Sequence, residues 1–194
     1  MKKLHFIFCL CAATLLLPVK ASAQTDEALQ KLKSAVNEVL AVANASSSPA
    51  ALAQKLGPVL DRHVNFEAMT RRAVGPGWKS FTADQQKQAT KLFTTLVIRT
   101  YSAKFTPGAK PVIDFQPAVS PAKGRVDVPT KMQYQGSRYS VDYRLEQGSG
   151  WMITDVVIEG VSMIANYRSQ LDAQFKKGGA ASVINSLNQS LSKS

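Results

Sequence analysis

The chain has 194 residues, 45% of them apolar and 19% charged, and its 24 Lys+Arg against 13 Asp+Glu give a formal net charge of +11. This length suits one domain, or a domain with a small appendage. The apolar share excludes wholesale disorder, and collagen-like, coiled-coil and multi-span membrane classes do not fit.

The first 23 residues read as a secretory signal peptide. Lys2 and Lys3 make a positive start, Leu4 to Leu17 is a mostly apolar run, and Ala21-Ser22-Ala23 is a small-residue cleavage pattern. The run is too short for a good transmembrane helix. Residues 24–194 are then expected to form a single domain, helical over 24–106, sheet over 110–160 and helical again over 161–191. Lys2, Lys3 and Lys20 leave with the leader, which takes the net charge from +11 to +8. Cys9, Cys11 and His5 leave too, so the mature chain is expected to hold no thiol, and His63 is its one histidine. Disulfides, zinc–thiolate sites, iron–sulfur clusters, cysteine nucleophiles and two-histidine metal sites are thereby excluded. No metal site and no cofactor are expected.

Leu29, Leu32, Val36, Val39, Leu40 and Ala43 recur at helical spacing and predict an amphipathic helix over about 25–44. Asn44 to Ser48 is expected to be poorly ordered, as is the tail after Leu191. Ser48-Pro49 starts a second helix carrying Leu52, Leu56 and Leu60, which Gly57-Pro58 should break or kink. Phe66, Met69 and Ala73 predict a short third helix ending near Gly75-Pro76-Gly77. Thr82 and Gln85 fit a capping box that opens the strongest helix, about 82–105, with a broad apolar face.

After Pro107 the period changes to two. Ile113 and Phe115 mark a short strand. Val126, Val128, Thr130, Met132 and Tyr134 alternate with polar residues, and Pro129 implies a bulge or an edge. Tyr139, Val141, Tyr143 and Leu145 alternate cleanly in the next strand. Trp151 to Ile158 is apolar on both faces, with Met152, Val156 and Ile158 on one and Trp151, Ile153 and Val157 on the other. Such a strand is covered on both sides. Helices over about 162–177 and 180–191 close the chain, with Lys176-Lys177-Gly178 as a stop. Helices, an antiparallel meander and helices again define an α+β fold, a curved antiparallel sheet packed with several helices, with an excess of apolar faces that fits an apolar cavity.

Catalytic signatures are missing. Gly75 to Ser80 fails as a phosphate loop, since Trp78 separates Gly77 from Lys79 and no strand precedes it. There is no G-x-S-x-G elbow. His63, near a helix end, reads first as a capping or surface residue. Asp155 reads as a carboxylate paired with an Arg or bonded to a backbone turn. The basic residues are dispersed, without the dense aromatic-interleaved tract of a nucleic-acid binder.

Several stretches carry a resemblance. They are Asn65-Phe66-Glu67-Ala68-Met69 leading to Val74-Gly75 and Trp78; Phe81-Thr82-Ala83-Asp84-Gln85-Gln86 opening a helix that reaches Thr100-Tyr101; Trp151 to Asp155; and Ile158-Glu159-Gly160-Val161-Ser162-Met163-Ile164 followed by Asn166-Tyr167-Arg168. Together they resemble the MlaC, or toluene-tolerance, family of periplasmic phospholipid-binding proteins. Asn65 stands where many members carry Asp, and Met152 where Lys is frequent.

The resemblance implies a nuclear-transport-factor-like cone without catalysis. Its cargo would be a glycerophospholipid, its partners an outer-membrane lipoprotein–porin complex and the substrate-binding component of an inner-membrane ABC transporter, and its role the upkeep of outer-membrane lipid asymmetry. No nucleic acid is implied. Facing and membership in these stretches together give an expected tail pocket of Val128, Met132, Tyr139, Val141 and Tyr143 on the sheet. Leu92, Leu96 and Tyr101 would oppose it, with Val161, Ile164 and Tyr167 on the far side. Arg144 and Arg168 are candidates to meet a phosphate, and Gly75-Pro76-Gly77 and Gly160 are candidate hinges. The alternatives are a cone-fold periplasmic small-molecule binder or enzyme, which would need a polar cluster in the cavity, and an adaptor with a filled core.

Overall fold

The computed structural model describes residues 19–193. Most of the expected signal peptide lies outside the described residues. Helix α1 spans Val19–Asn44, α2 Pro49–Leu60, α3 Phe66–Val74 and α4 Ala83–Ser102, with a 3-10 turn at Gly75–Ser80 between the last two. The strands are β1 (Val112–Phe115), β2 (Val119–Ala122), β3 (Arg125–Tyr134), β4 (Ser137–Gln147), β5 (Trp151–Ile158) and β6 (Val161–Ser162), and α5 (Met163–Lys193) closes the chain. The class is α+β, as expected.

Local chemistry sets the boundaries. Ser48 caps α2 by accepting Ala51 N–H at 3.2 Å, and Pro49 occupies the first turn. Asn65 caps α3 through Ala68 N–H at 2.9 Å, a role its carbonyl oxygen fills as an aspartate would. Thr82 and Gln85 complete the capping box in both directions, at 3.2 and 2.9 Å. The expected break at Gly57-Pro58 does not occur. Pro58 falls in the last turn of α2, so the helix forgoes one backbone bond just before it ends. Nor is the segment after Asn44 loose, because Ser46 is buried and its hydroxyl donates to the Val42 carbonyl at 2.7 Å. The helix also continues past Leu191 to Lys193. The expected pair of closing helices meets without a loop, through a kink at Gly178 and Gly179.

The antiparallel sheet runs β1-β3-β4-β5-β6, with β2 also on β3. β1 and β2 occupy successive stretches of the same β3 edge, opposite Thr130–Gln133 and Arg125–Asp127. Pro129 lies between those stretches, where its missing N–H has no strand partner to serve, and its carbonyl accepts Gln116 N–H at 2.9 Å. A proline inside a paired strand is thus tolerated by breaking the neighbour.

One register shift changes the facing of β5. Arg144 pairs with Asp155 but Leu145 pairs with Ile153, so Thr154 is an extra residue. Alternation then restarts one position later. Trp151, Ile153, Val156 and Ile158 share the face of Tyr143 and Leu145, while Met152, Asp155 and Val157 lie on the reverse. The expected division of this strand is corrected accordingly. Helix α1 crosses the inner face, touching β2, β3 and β5, and α3 and α4 pack on α5.

Candidate functional site

Between the inner face of the sheet and helices α1, α2 and α4 lies a cavity of about 310 Å³. Its volume is at the lower end of the usual ligand-pocket range of about 300–1,000 Å³. Helix α1 contributes Val36, Val39 and Leu40, α2 contributes Leu52, Leu56 and Leu60, and the start of α3 adds Phe66 and Met69. The α4 end presents Val97, Ile98, Tyr101 and Ser102, with Phe105 beyond it. The sheet supplies Ile113, Met132, Val141, Tyr143 and three residues of β5. A wider groove of about 660 Å³ outside the α2–α4 seam shares Ile98 with this cavity.

Its polar side chains are few. Burial pushes the Tyr143 hydroxyl pKa up to about 12. Tyr101 is also raised, mainly by burial and further by Tyr167 and Asp155. Ser102 Oγ has no hydrogen-bond partner, and His63 Nε2 pairs with Glu38 Oε1 at 3.0 Å. Glu38 is held below the usual carboxylate range, first by the Arg62 guanidinium beside it, against an opposing desolvation, with His63 adding to the lowering. His63 is therefore a buried wall residue, 4% exposed, and not the surface residue expected.

Four residues of the expected tail pocket line this cavity: Tyr101, Met132, Val141 and Tyr143. The others stand elsewhere. Val128 is fully buried in the core and Tyr139 lies beside Met132, its partner across β3 and β4. Leu92, Leu96, Ile164 and Tyr167 belong to the packed core, where Phe93 meets Tyr167 edge-on at 5.0 Å. Val161 is 61% exposed. Helix α4 explains the difference, since its broad stripe serves two neighbours: the 97-98-101-102 side faces the cavity and the 89-93-96 side faces the helical core. Sequence reasoning missed the walls from α1 and α2. Their leucine and valine stripes were visible, but nothing in the pattern says that they flank a hollow.

The polar candidates are accounted for. Asp155, 5% exposed, takes Arg144 Nη1 at 2.9 Å, the Ser162 hydroxyl at 2.6 Å and the Val156 and Ile164 N–H groups. Ser162 in turn accepts Ala165 N–H at 3.1 Å, so the pair caps α5. Arg144 is thus engaged on the reverse face, away from the cavity. Arg168 lies over Gly75, and a Cβ at Gly77 would fall 2.7 Å from the Phe175 ring, so these glycines permit close packing. Glu159 (φ 50°) and Gly160 (φ 77°) form the tight β5–β6 turn, which fits a two-residue hairpin with both central residues left-handed. Among the described residues there is no cluster of metal-ligating side chains, and no helix is long and apolar enough to cross a membrane.

A helix-and-sheet shell around an apolar hollow with capped, ion-paired polar groups outside it is the class of structure present. The chain belongs to the MlaC family, whose model, described as MlaC protein, matches residues 30–189. No curated protein matches it. Among solved structures it is similar to the phospholipid-binding protein from Ralstonia solanacearum, determined in complex with a phospholipid. The TM-score is 0.78 at 26% identity, over 86% of this chain and 98% of that one.

Proposed function

We propose that this protein is a carrier that binds a glycerophospholipid by its acyl tails in the cavity beneath the sheet. The observation that carries the reading is the cavity itself: an interior hollow whose walls are almost wholly aliphatic and aromatic, in a chain whose solved structural relative holds a phospholipid. An enzyme would need reacting groups converging on that space, and the carboxylate of Asp155 is committed to Arg144 and to the α5 cap.

We further propose that the chain is exported through its leader and works in the periplasm, between an outer-membrane lipoprotein–porin complex and an inner-membrane ABC transporter, in keeping the outer membrane asymmetric. Energetics favour handover by docking. Two tails of about 15 methylenes at about 0.8 kcal/mol each amount to about 24 kcal/mol, above the practical affinity ceiling of about 18–21 kcal/mol. A bilayer shelters tails as well, so exchange is nearly balanced between sheltered sites and slow through water. The test is mass spectrometry of an organic extract of the protein purified without detergent. Stoichiometric diacyl phospholipid is expected; a stable, lipid-free protein refutes the reading.

A further inference from the structure

The cavity has a direction, set by the register of β4. Met132 pairs with Tyr139 and Ile153 with Leu145, six residues further along the strand. At a strand rise of about 3.3 Å this is about 20 Å. Around Met132 the lining residues Phe105, Pro111 and Ile113 are partly exposed. Around Ile153 they are buried: Val64, Phe66 and Met69 are 9%, 7% and 1% exposed. The hollow therefore opens at Met132 and is closed at Ile153.

The two ends differ in charge. At the closed end the cations are paired: Arg62 with Glu38, Arg72 with Glu146 and Arg144 with Asp155. At the mouth they are not. The segment from α4 to β1 carries Lys104 and Lys110, and β4 begins with Arg138 beside Tyr139. Tertiary contacts hold this segment on the β3–β4 hairpin. Phe105 stacks on Tyr134 at 5.6 Å, Thr106 N–H donates to Tyr134 Oη at 2.7 Å, and Gln135 Nε2 donates to Thr106 Oγ1 at 2.8 Å. Lys104, Lys110 and Arg138 are all exposed, and none joins an ion pair among the described residues. No carboxylate occurs between Asp84 and Asp114. Asp114 accepts from Gln116 Nε2 at 2.8 Å, and Glu159, in the β5–β6 turn, accepts Ser140 N–H.

The mouth also carries exposed apolar side chains. The exposed large apolar residues among those described are Val112, Val119 and Val161. Val119 lies opposite Asp127, toward the closed end. Val112, 64% exposed, pairs with Gln133 beside Met132, and Val161 pairs with Ile158 of the cavity wall. β1 and β6 end the sheet order on its two sides, so a valine stands at each edge near the mouth. Unpaired cations with short apolar side chains among them suit a fluid anionic surface. There apolar tips enter the headgroup layer while ammonium and guanidinium groups meet phosphates. A protein interface is anchored instead by large aromatic side chains in matched pockets, and this rim exposes none.

We propose that the mouth end, through Lys104, Lys110, Arg138, Val112 and Val161, docks on an anionic phospholipid bilayer and turns the opening of the cavity toward the membrane surface. Such docking goes beyond the carrier reading, because it adds a direct membrane contact to handover between proteins.

The purified protein is mixed at physiological salt with vesicles of equal parts phosphatidylcholine and phosphatidylglycerol, or of phosphatidylcholine alone, and binding is read by co-sedimentation. Binding to the anionic vesicles alone is expected. Each Lys or Arg at such a surface contributes about fivefold. Lys104→Gln, Lys110→Gln and Arg138→Gln together should therefore weaken binding about a hundredfold. Lys79→Gln, Lys87→Gln and Lys91→Gln remove the same charge from exposed positions at and before the start of α4. Lys91 lies eleven residues before Ser102, about 16 Å along the helix and beyond the screening length of about 8 Å. That control should stay within about threefold of wild type. Val112→Ser with Val161→Ser should weaken binding about tenfold. A wild-type protein that ignores anionic vesicles overturns the proposal, as do triple variants that weaken equally or valine variants that bind unchanged. A lipid-free protein that still docks through this face refutes the carrier reading and leaves the membrane contact standing.

Discussion

At one end of the molecule, where α3, α4 and α5 meet, aromatic rings close on one another. Trp78 lies 5.4 Å from Phe81, Phe81 stacks at 6.2 Å on Phe175, and Phe93 meets Tyr167 edge-on. At the other end, aliphatic side chains of α1 and α2, with Val141 and Tyr143 of β4, surround a hollow of about 310 Å³. Both regions are apolar. They differ in what holds the walls apart: the helical end packs helix on helix, whereas the hollow lies between helices and a sheet with capped and ion-paired groups outside it. A filled core and a ligand cavity are thus distinguished by support, and substitutions should behave differently in each.

The largest expected effect is in the filled half. Phe93 is fully buried, and Phe93→Ala should lower stability by about 3–5 kcal/mol, because the surrounding helices cannot collapse into the space. Leu56→Ala in the cavity wall removes contacts on the protein side alone and should fall below the usual range of about 2–5 kcal/mol for a buried leucine. Urea unfolding of both variants, compared at constant m-value, measures the contrast; equal losses would mean that the hollow is packed after all.

The frame of the hollow comes next. Asp155→Ala leaves Arg144 without its partner and removes an acceptor for Ile164 N–H at the start of α5. A loss of about 2–3 kcal/mol is expected, since unpaired groups at a mostly buried site are penalised beyond the lost bond. Denaturant unfolding gives its size, and hydrogen exchange at the first turn of α5 should show where it acts.

Burial in the hollow also has a pH signature. Tyr143 titrates near 10 when unfolded and near 12 when folded, so the folded state disfavours its ionised form. The raised value means that this contribution is fully present below pH 10 and is lost as pH rises through 12. Across that window stability should fall by up to about 3 kcal/mol. Tyr143→Phe should flatten the slope between pH 10 and 12 in unfolding curves taken at fixed ionic strength, and an unaltered slope would show that the ring is hydrated.

Much of the fold was legible because it is local. The Thr82–Gln85 box, the Ser48 and Asn65 caps and the alternation of β3 and β4 are written in adjacent residues. So was the engagement of Asp155 by an arginine or a backbone turn, although Arg144, which supplies the guanidinium, was expected to meet a phosphate instead. What could not be read depends on pairing. The extra residue at Thr154 reverses the facing of β5, and no residue type announces it. Likewise α4 shows one wide stripe, and only its neighbours decide that Tyr101 faces the cavity while Leu92 and Leu96 face the helical core. The walls from α1 and α2 went unrecognised for the same reason, because periodicity identifies an apolar face but not whether anything fills the space before it.

The smallest change in stability should come from a substitution meant to fill that space. Val141 is 4% exposed and lines the hollow, so Val141→Trp can place its indole in existing volume. Overpacking ordinarily costs about 1–3 kcal/mol, and here the value should lie at or below the lower limit. Ile164→Trp enlarges a residue of the packed core instead and should reach the upper part of that range. The two variants then separate filling from damage. Val141→Trp should stay folded while its co-purified lipid falls, and Ile164→Trp should lose stability first. If Val141→Trp retains wild-type lipid in a folded protein, the tails lie away from β4, and the contrast between a filled and a hollow half no longer bears on cargo.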